Sequence, residues 1–443
     1  MFSRRSGLML FAFALAARAE VSPTPAMTVE LTPDFVDRLM VEAREHNPAI
    51  AAAGARAEAA ASAVEAVRTW EDPMFLVGLS MPAARGFKSS EEGNLIYGVE
   101  QKLPVFDRPK LARQAAAAEA GKENLTVILE TAKLRRDLQL ALTNLALDDS
   151  TIELTQEDLG WLETTLAAVD QRYRVGKSSQ VEWLKIQTER AKAQDRLKTL
   201  QLEREHQQVE VNRLLNRDLH AAWPTVTLPA MLAPLPYSDE LVNTALQADP
   251  KLKVMQQEVA QAEATSRVTR EKRRPEVGIG LQGRSYTGDT GFREGMVTVN
   301  FTLPWLNADR YAKDYQRDRA RVRASEHDAA DYTLTIREEL HHLVVELDGG
   351  RRQALLYRDE LVPLTEQALA SASAAWANSL GLFQDVLDAR RMLVEHRRML
   401  AEALAAQART TAEITLRTGV ADLTIFSRAE PTVQPMNMSG ESK

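Results

Sequence analysis

The stretch Tyr-Arg-Val-Gly-Lys-Ser-Ser-Gln-Val-Glu-Trp-Leu at residues 173–184 recurs 203 positions later as Trp-Ala-Asn-Ser-Leu-Gly-Leu-Phe-Gln-Asp-Val-Leu at residues 376–387. Three further landmarks recur in the same order at offsets of 202, 202 and 200: Asn47-Pro48 as Asp249-Pro250, Pro73 as Pro275, and Leu103-Pro104 as Leu303-Pro304. Four landmarks in one order at nearly one period indicate a tandem duplication of a unit of about two hundred residues. The break between the copies lies in the proline-rich segment near residues 223–236.

Each copy predicts the same succession of elements. In the first copy an alanine-rich helix begins at Thr32-Pro33, a capping residue followed by proline, and runs to about Trp70. The matching helix of the second copy runs from Ser238 to about Arg274. Two short alternating segments follow, and then a helical pattern that has no internal proline between Pro109 and Gly176. At ~1.5 Å per residue this helix is about 100 Å long. A second helical pattern returns after Gly176, and the two together predict a helical hairpin with coiled-coil-like packing.

Four segments alternate apolar and polar side chains with the period of a β-strand. Their length of about eight to ten residues suits tilted membrane strands, and their polar positions are rich in Gly, Ser, Thr and Asn. The loops over 81–94 and 283–295 are polar and glycine-rich. A soluble half-buried hairpin would show the same pattern in any one strand. We expect the apolar positions to face outer-membrane lipid: Phe75, Val77, Leu79, Leu95, Tyr97, Val99, Val277, Ile279, Leu281, Val297, Val299 and Phe301.

Four strands leave two open edges, and lipid cannot satisfy the backbone groups there. We therefore expect an obligate oligomer, in which two copies would give eight strands and three copies would give twelve.

The N-terminus has the features of an export signal. Arg4 and Arg5 precede an apolar run from Leu8 to Leu15, and Ala17-Arg18-Ala19 offers a small-x-small cleavage site. The chain has a formal net charge of -7 and no cysteine. Nothing therefore favours a nucleic-acid partner, and no disulfide framework is expected. No later stretch approaches the roughly 18 consecutive apolar residues of a membrane-spanning helix.

Residues suited to catalysis, cofactor binding or metal binding do not come together in the sequence. Gly176-Lys177-Ser178 resembles the end of a phosphate-binding loop, but Gln171 stands where that loop needs its first glycine. His-Glu-x-x-His and Gly-x-Ser-x-Gly motifs do not occur. His341 and His342 are adjacent on a predicted helix, so their side chains diverge. We therefore expect no enzymatic activity, no cofactor and no bound metal.

The order of strand hairpin, long helix, Tyr-x-x-Gly tip and returning helix, present twice, resembles the TolC family of outer-membrane factors over residues 31–419. The motifs that carry the resemblance are the pairs at 47–48, 103–104 and 303–304, the tip at 173–176 and Asp-Val-Leu-Asp-Ala at 385–389. The resemblance implies a mainly α protein with transmembrane β-structure. Long antiparallel helical hairpins would form an α-barrel, and four strands per protomer would contribute to the twelve-stranded outer-membrane β-barrel of a homotrimer.

The same resemblance implies the outer-membrane channel of a tripartite efflux system, with a large periplasmic portion in a Gram-negative type cell envelope. A periplasmic adaptor and an inner-membrane pump would deliver small molecules or ions to this passive duct. The predicted organisation is a signal peptide at 1–19, a first repeat at 20–222 with its β-hairpin near 74–103, a linker at 223–237, a second repeat at 238–419 with its β-hairpin near 276–303, and a polar tail at 420–443. We expect this tail to be disordered or lightly packed against the equator, the middle of the predicted long helices.

The resemblance also implies a periplasmic gate at Asp385 and Asp388. Residues three apart share one helix face, so threefold symmetry would gather six carboxylates at a narrow mouth, which favours cations. The first copy has Glu182 and Lys185 instead, so only the second-copy helices should constrict the mouth. The alternative is a solvated acidic face without a gating role.

The helix tips are implied to contact the adaptor. Ser379 stands where the family has glycine, and Gly381 follows two residues later, so we expect a shifted turn in the second tip. The implied contact residues are Val175, Gly176, Lys177 and Ser178 in the first tip, and Ser379, Leu380, Gly381 and Leu382 in the second.

Two alternatives remain at this point. The chain could be a periplasmic structural or adaptor protein of coiled coils with soluble β-segments, although an adaptor should carry one helical hairpin rather than two. For the cargo, the stretch 295–310 has some similarity to the heavy-metal branch of the family, so heavy-metal ions are the alternative to drugs.

Overall fold

The computed structural model describes residues 28–80, 94–286 and 291–428. The predicted signal peptide and the loop residues 81–93 lie outside the described residues. The first repeat contains β1 (Thr28–Glu30), α1 (Pro33–His46), α2 (Pro48–Ala66), β2 (Met74–Ser80), β3 (Asn94–Leu103), α3 (Arg108–Arg174) and α4 (Gln180–Leu215), and β4 (Thr225–Thr227) lies in the linker. The second repeat contains α5 (Asp239–Ala248), α6 (Pro250–Glu271), β5 (Val277–Tyr286), β6 (Phe292–Phe301), α7 (Ala308–Leu355), a π-helical turn (Leu356–Leu361), α8 (Val362–Ala377) and α9 (Phe383–Thr418). Short 3₁₀ turns occupy Pro304–Asn307 and Leu423–Arg428.

The first helix of each repeat is broken in two, where the sequence predicts one continuous helix. The breaks fall at Asn47 and Asp249, which have non-helical backbone conformations with ψ of 121° and 118°. Each precedes a proline, whose ring excludes the helical conformation from the preceding residue. Each also caps the following helix, because Asn47 Oδ1 accepts the Ala49 N–H at 2.8 Å and Asp249 Oδ1 accepts the Leu252 N–H at 2.7 Å. The prediction of single helices ending near Trp70 and Arg274 was therefore wrong.

The long helices pack side by side in one layer. α3 has 67 residues and is about 100 Å long. In its first half α3 packs between α2 and α6, and α6 packs on α7. In its second half α3 packs against α4 and α9, and α9 packs on α7 and α8. Among the described helices, no segment is both long enough and apolar enough to cross a membrane.

Four of the strands form one antiparallel sheet in the order β2-β3-β5-β6. The register aligns Phe75, Val99, Leu281 and Val297 in a row across all four strands. The apolar set predicted from alternation lies on this face and is exposed, except for the half-buried Val277. The fold class is thus confirmed as mainly helical hairpins with a four-stranded sheet.

The second strand hairpin is longer than the sequence predicts. Part of the expected loop over 283–295 is strand, since β5 continues to Tyr286 and β6 begins at Phe292. Gly283 pairs with Gly295, and the cross-strand ion pair between Arg284 and Glu294 has a nitrogen–oxygen distance of 2.7 Å. These contacts extend the ladder through residues whose composition is typical of a loop.

The linker and the tail pack in equivalent places on the long helices, the linker at Asp149 of α3 and the tail at Val344 and Leu347 of α7. β1 pairs in parallel with β4, and Asp149 accepts the Val226 N–H at 2.8 Å and pairs with Arg204. Trp223 is buried in the first core, and Phe426, 203 positions later, is 1% exposed in the second. The beginning of the tail is packed more firmly than the light packing that we expected, because Phe426 repeats the role of Trp223. Residues 429–443 of the predicted tail lie outside the described residues.

Asp148 is the neighbour of Asp149 on α3. We expect Asp148 to destabilise the fold when its carboxyl is ionised. Burial raises the pKa of Asp148 from 3.8 to about 6, with further contributions from the carboxylates of Glu203 and Asp149, and its Oδ2 is buried without a hydrogen-bond donor. A raised pKa means that the folded chain binds the proton more tightly than the unfolded chain, so stability is gained as pH falls from about 7 to about 4.

We expect Asp148→Asn to raise the free energy of unfolding at pH 7.5 by about 2 kcal/mol. The difference from wild type should vanish below about pH 3, where the carboxyl is protonated in both the folded and the unfolded chain. Thermal unfolding in detergent at both pH values measures this. The exposed Asp195→Asn on α4 is the matched control, and equal changes in the two variants would contradict the prediction.

Candidate functional site at the helix tips

The two helical hairpins end in turns of the same geometry. Lys177 N–H bonds to Arg172 O at 2.8 Å in the first turn, and Leu380 N–H bonds to Ala375 O at 2.8 Å in the second. The left-handed position is Gly176 (φ 71°) in the first and Ser379 (φ 59°) in the second. The expected shift of the second turn is therefore wrong: Ser379 occupies the conformation of the glycine that it replaces.

The left-handed conformation costs a residue with a Cβ about 1–2 kcal/mol. Ser379 adopts it in a turn that is contacted by a side chain of the first tip. Arg172 Nη2 donates to Ser379 Oγ at 3.1 Å, and Nη1 donates to Ala377 O at 3.0 Å. The same guanidinium lies 4.5 Å from the ring centroid of Trp376. Glycine at position 381 is favoured for a different, steric reason: a Cβ there would lie 2.9 Å from Ala375 Cβ. Arg172 thus clamps the second tip onto the first.

A shared apolar core joins the two tips. Leu162, Val169 and Ile186 of the first hairpin are buried together with residues at the start of α9, which are Phe383, Val386 and Leu387. Val386 and Leu387 therefore point into this core, and the aspartates that flank them lie at its border. The two hairpins form one packed body at this end.

The two predicted gate aspartates have different surroundings. Asp388 is half exposed; its Oδ1 accepts from Gln384 Nε2 at 2.9 Å and pairs with Arg391 at 3.1 Å. Arg391 reaches on to Glu189 of α4 at 2.8 Å. Asp385 is exposed, and among the described residues it has no ion-pair partner. Asp385 is therefore the uncompensated charge of the pair.

Most of the predicted adaptor-contacting residues are exposed. Leu380 and Leu382 are 84% and 69% exposed, and Val175 is 68% exposed. Gly176, Lys177 and Ser379 are also exposed, while Ser178 and Gly381 are half-buried. Ser178 is held by a hydrogen bond to Glu182. Three of the predicted contact residues are therefore large apolar side chains exposed to solvent at the two tight turns.

Sequence reasoning missed the cations that organise this end. Arg391 was recognisable in principle, because it lies three residues after Asp388 on one helix face. Arg172 and Arg390 gave no such signal. Arg390 is buried; it pairs with Asp158 at 2.7 Å and lies 5.2 Å from the Trp161 ring centroid. Both arginines bind groups of the other repeat, about two hundred residues away, and local patterns do not report such contacts.

Comparison with known proteins agrees with this architecture. The family model of the outer membrane efflux protein matches residues 39–217 and 241–420, one segment in each repeat. No single curated protein sequence matches the chain significantly. Among solved structures, the outer-membrane channel OprN superposes with a TM-score of 0.75 at 16% identity, covering 87% of this chain and 90% of that one. The Vibrio cholerae outer membrane protein VceC gives 0.72 at 17% identity, covering 88% and 97%.

The Campylobacter jejuni CmeC outer membrane channel superposes with a TM-score of 0.74 at 13% identity, covering 89% of each chain. At such identities the structural matches establish the fold. The family match covers both repeats and therefore establishes the family. The chain belongs to the outer membrane efflux protein family, which places it in the outer membrane as an efflux protein.

Proposed function

We propose that three copies of this chain close into a passive duct, the outer-membrane channel of a tripartite efflux system in a Gram-negative envelope. The observation that carries the proposal is that the unpaired edges of the sheet lie next to the unpaired edges of the helical layer. β2 and β6 flank the sheet, and α2 and α7 flank the first half of the helical layer. α2 leads directly into β2, and β6 leads into α7. A second copy therefore satisfies a strand edge and a helix edge together.

Three copies make the smallest closed assembly with an open lumen. An eight-stranded barrel is just wide enough for side chains to fill it, so two copies would leave no channel. Three copies would give twelve strands, with the polar face of each sheet turned inward and the row Phe75, Val99, Leu281 and Val297 turned to lipid. The repeats at 20–222 and 238–419 would each supply one strand hairpin to this barrel and one helical hairpin to the tunnel below it.

We place the gate and the adaptor contacts at the tips. Asp385 is exposed beside the shared tip core, so three copies would gather its uncompensated carboxylates around one axis. Leu380, Leu382 and Val175 project from the turns, where a helical hairpin of a periplasmic adaptor would cover them. These apolar side chains support docking, because large apolar side chains grouped on an exposed surface mark protein–protein interaction sites, and Tyr173, Val181 and Leu184 beside the first turn are exposed as well.

The duct performs no reaction in this proposal, and its partners supply the energy. Its cargo is small molecules or ions handed on by the inner-membrane pump, with heavy-metal ions as the alternative to drugs. A soluble periplasmic adaptor is a poorer fit, because one face of the sheet exposes a continuous apolar row that water would not stabilise.

Purification with and without detergent tests the proposal. We expect the chain to be found in the outer-membrane fraction, to require detergent for extraction, and to have the mass of a trimer by light scattering corrected for detergent. After reconstitution in planar bilayers it should conduct ions. A water-soluble monomer obtained without detergent would contradict the duct.

A further inference from the structure

The four connections between strands and helices form a belt of positive charge. This junction belt comprises residues 67–73, 101–113, 268–277 and 302–314. It carries eleven Lys and Arg against seven Asp and Glu, a net charge of +4, in a chain whose net charge is -7. Positive charge is thus concentrated at the end of the sheet from which the long helices start.

Part of this charge is neutralised within the belt. Lys102 pairs with Glu71 at 2.9 Å, and Arg108 pairs with Glu276. Other cations are left over, because Arg68, Lys272 and Arg310 are exposed and have no ion-pair partner among the described residues. These three cations are therefore available to an external anion.

The three unpaired cations line one cleft. It has a volume of about 550 Å³, and its wall includes Arg68, Lys272 and Arg310 together with Leu103 and Val277. Leu103 and Val277 are register partners at the end of the apolar face. The cleft therefore opens where the apolar face ends and combines an apolar wall with an excess of positive charge, because its carboxylates, Glu71, Glu276 and Asp314, are each paired with a cation.

Large exposed side chains lie in or beside the same connections. Trp70 precedes β2, and Trp305 and Leu306 follow β6; Trp305 and Trp70 are 57% and 56% exposed. Tryptophan is favoured at the level of lipid head groups because its ring is amphipathic. The belt thus lies at the height at which the apolar sheet gives way to the periplasmic helices.

We propose that this cleft binds the head group of an anionic phospholipid from the periplasmic leaflet of the outer membrane. Arg68, Lys272 and Arg310 contact the phosphate-bearing head group, while Leu103 and Val277 contact the beginning of the acyl chains. Cations near a membrane surface attract anionic lipids within the range of electrostatic screening, so binding weakens as salt concentration rises. The assignment rests on the proposed placement of the sheet in the outer membrane.

Native mass spectrometry of the detergent-solubilised trimer tests this assignment, with phosphatidylglycerol and phosphatidylcholine as the two lipid probes. Wild type should retain phosphatidylglycerol in preference to phosphatidylcholine. The triple variant Arg68→Gln, Lys272→Gln and Arg310→Gln should bind phosphatidylglycerol about tenfold or more weakly. Inorganic phosphate alone should not displace the lipid, because it has no acyl chain to contact Leu103 and Val277.

The matched control removes three exposed cations outside the belt, Lys198→Gln, Lys253→Gln and Arg337→Gln, and should leave lipid retention unchanged. Equal retention by wild type and the belt variant would overturn the assignment, and so would displacement by inorganic phosphate. Conductance in planar bilayers separates the two proposals. A protein that inserts and conducts without lipid selectivity refutes only the head-group site, whereas one that never inserts refutes the duct.

Discussion

Leu281→Arg is expected to abolish the stable trimer in the outer membrane. Leu281 is exposed in the middle of the apolar row that Phe75, Val99 and Val297 complete. An arginine on the lipid face near the bilayer midplane costs about 2–4 kcal/mol, and closure of a trimer would incur this cost three times. Net stabilities of folded proteins are only about 5–15 kcal/mol, so the total is large. The measurement is the amount of trimer in the outer-membrane fraction by unheated gel electrophoresis.

The neighbouring position supplies a matched control. Gln282 follows Leu281 on the same strand and points to the opposite, polar face, which the proposal turns to the lumen. Gln282→Arg should therefore assemble close to wild-type levels and alter conductance instead. If both arginine variants assembled equally well, the apolar face would not be the lipid-facing one.

Asp385→Asn is expected to weaken block of the channel by a trivalent cation by about tenfold, which corresponds to about 1.4 kcal/mol. Three exposed carboxylates at a narrow mouth attract a multivalent cation, and replacing each by an amide removes that attraction. Asp388→Asn should have a smaller effect, because Arg391 already compensates that carboxylate at 3.1 Å. Planar-bilayer recordings with hexaamminecobalt measure both variants.

The first repeat provides the control for this prediction. Glu182 is the counterpart of Asp385, 203 positions earlier, and hydrogen-bonds to Ser178 in the first turn. Glu182→Gln removes the same charge from a helix that is not expected to constrict the mouth. Unchanged block in Asp385→Asn, or an equal loss in Glu182→Gln, would remove the gate from the second-copy tip.

Much of the fold was predictable because its signals are local. Alternation of period two identified all four strands of the large sheet, since neighbouring side chains of a strand point to opposite faces. The recurrence of Leu-Pro and Tyr-x-x-Gly identified the duplication. Two local signals were read incompletely. The Asn47-Pro48 and Asp249-Pro250 pairs were used as landmarks of the repeat but break the helices, and Ser379 was expected to shift a turn that it preserves.

The candidate site was less predictable than the fold. The sequence shows that its aspartates are charged. Whether an ion-pair partner compensates each charge depends on residues far apart in the chain. Asp388 shares Arg391 with Glu189, which lies in the other repeat. Arg172 likewise determines how the second tip is held, through Trp376 and Ser379.

The sequence by itself determined the duplication, the long helices and a sheet with one apolar face, because periodicity and spacing are properties of the covalent chain. Only the tertiary structure decided that Asp385, and not Asp388, is the uncompensated carboxylate, and that Arg68, Lys272 and Arg310 line one cleft. The physical reason is that ion pairing and burial depend on distances between segments that are far apart in the chain. Packing of the long helices sets those distances, and no local pattern encodes them.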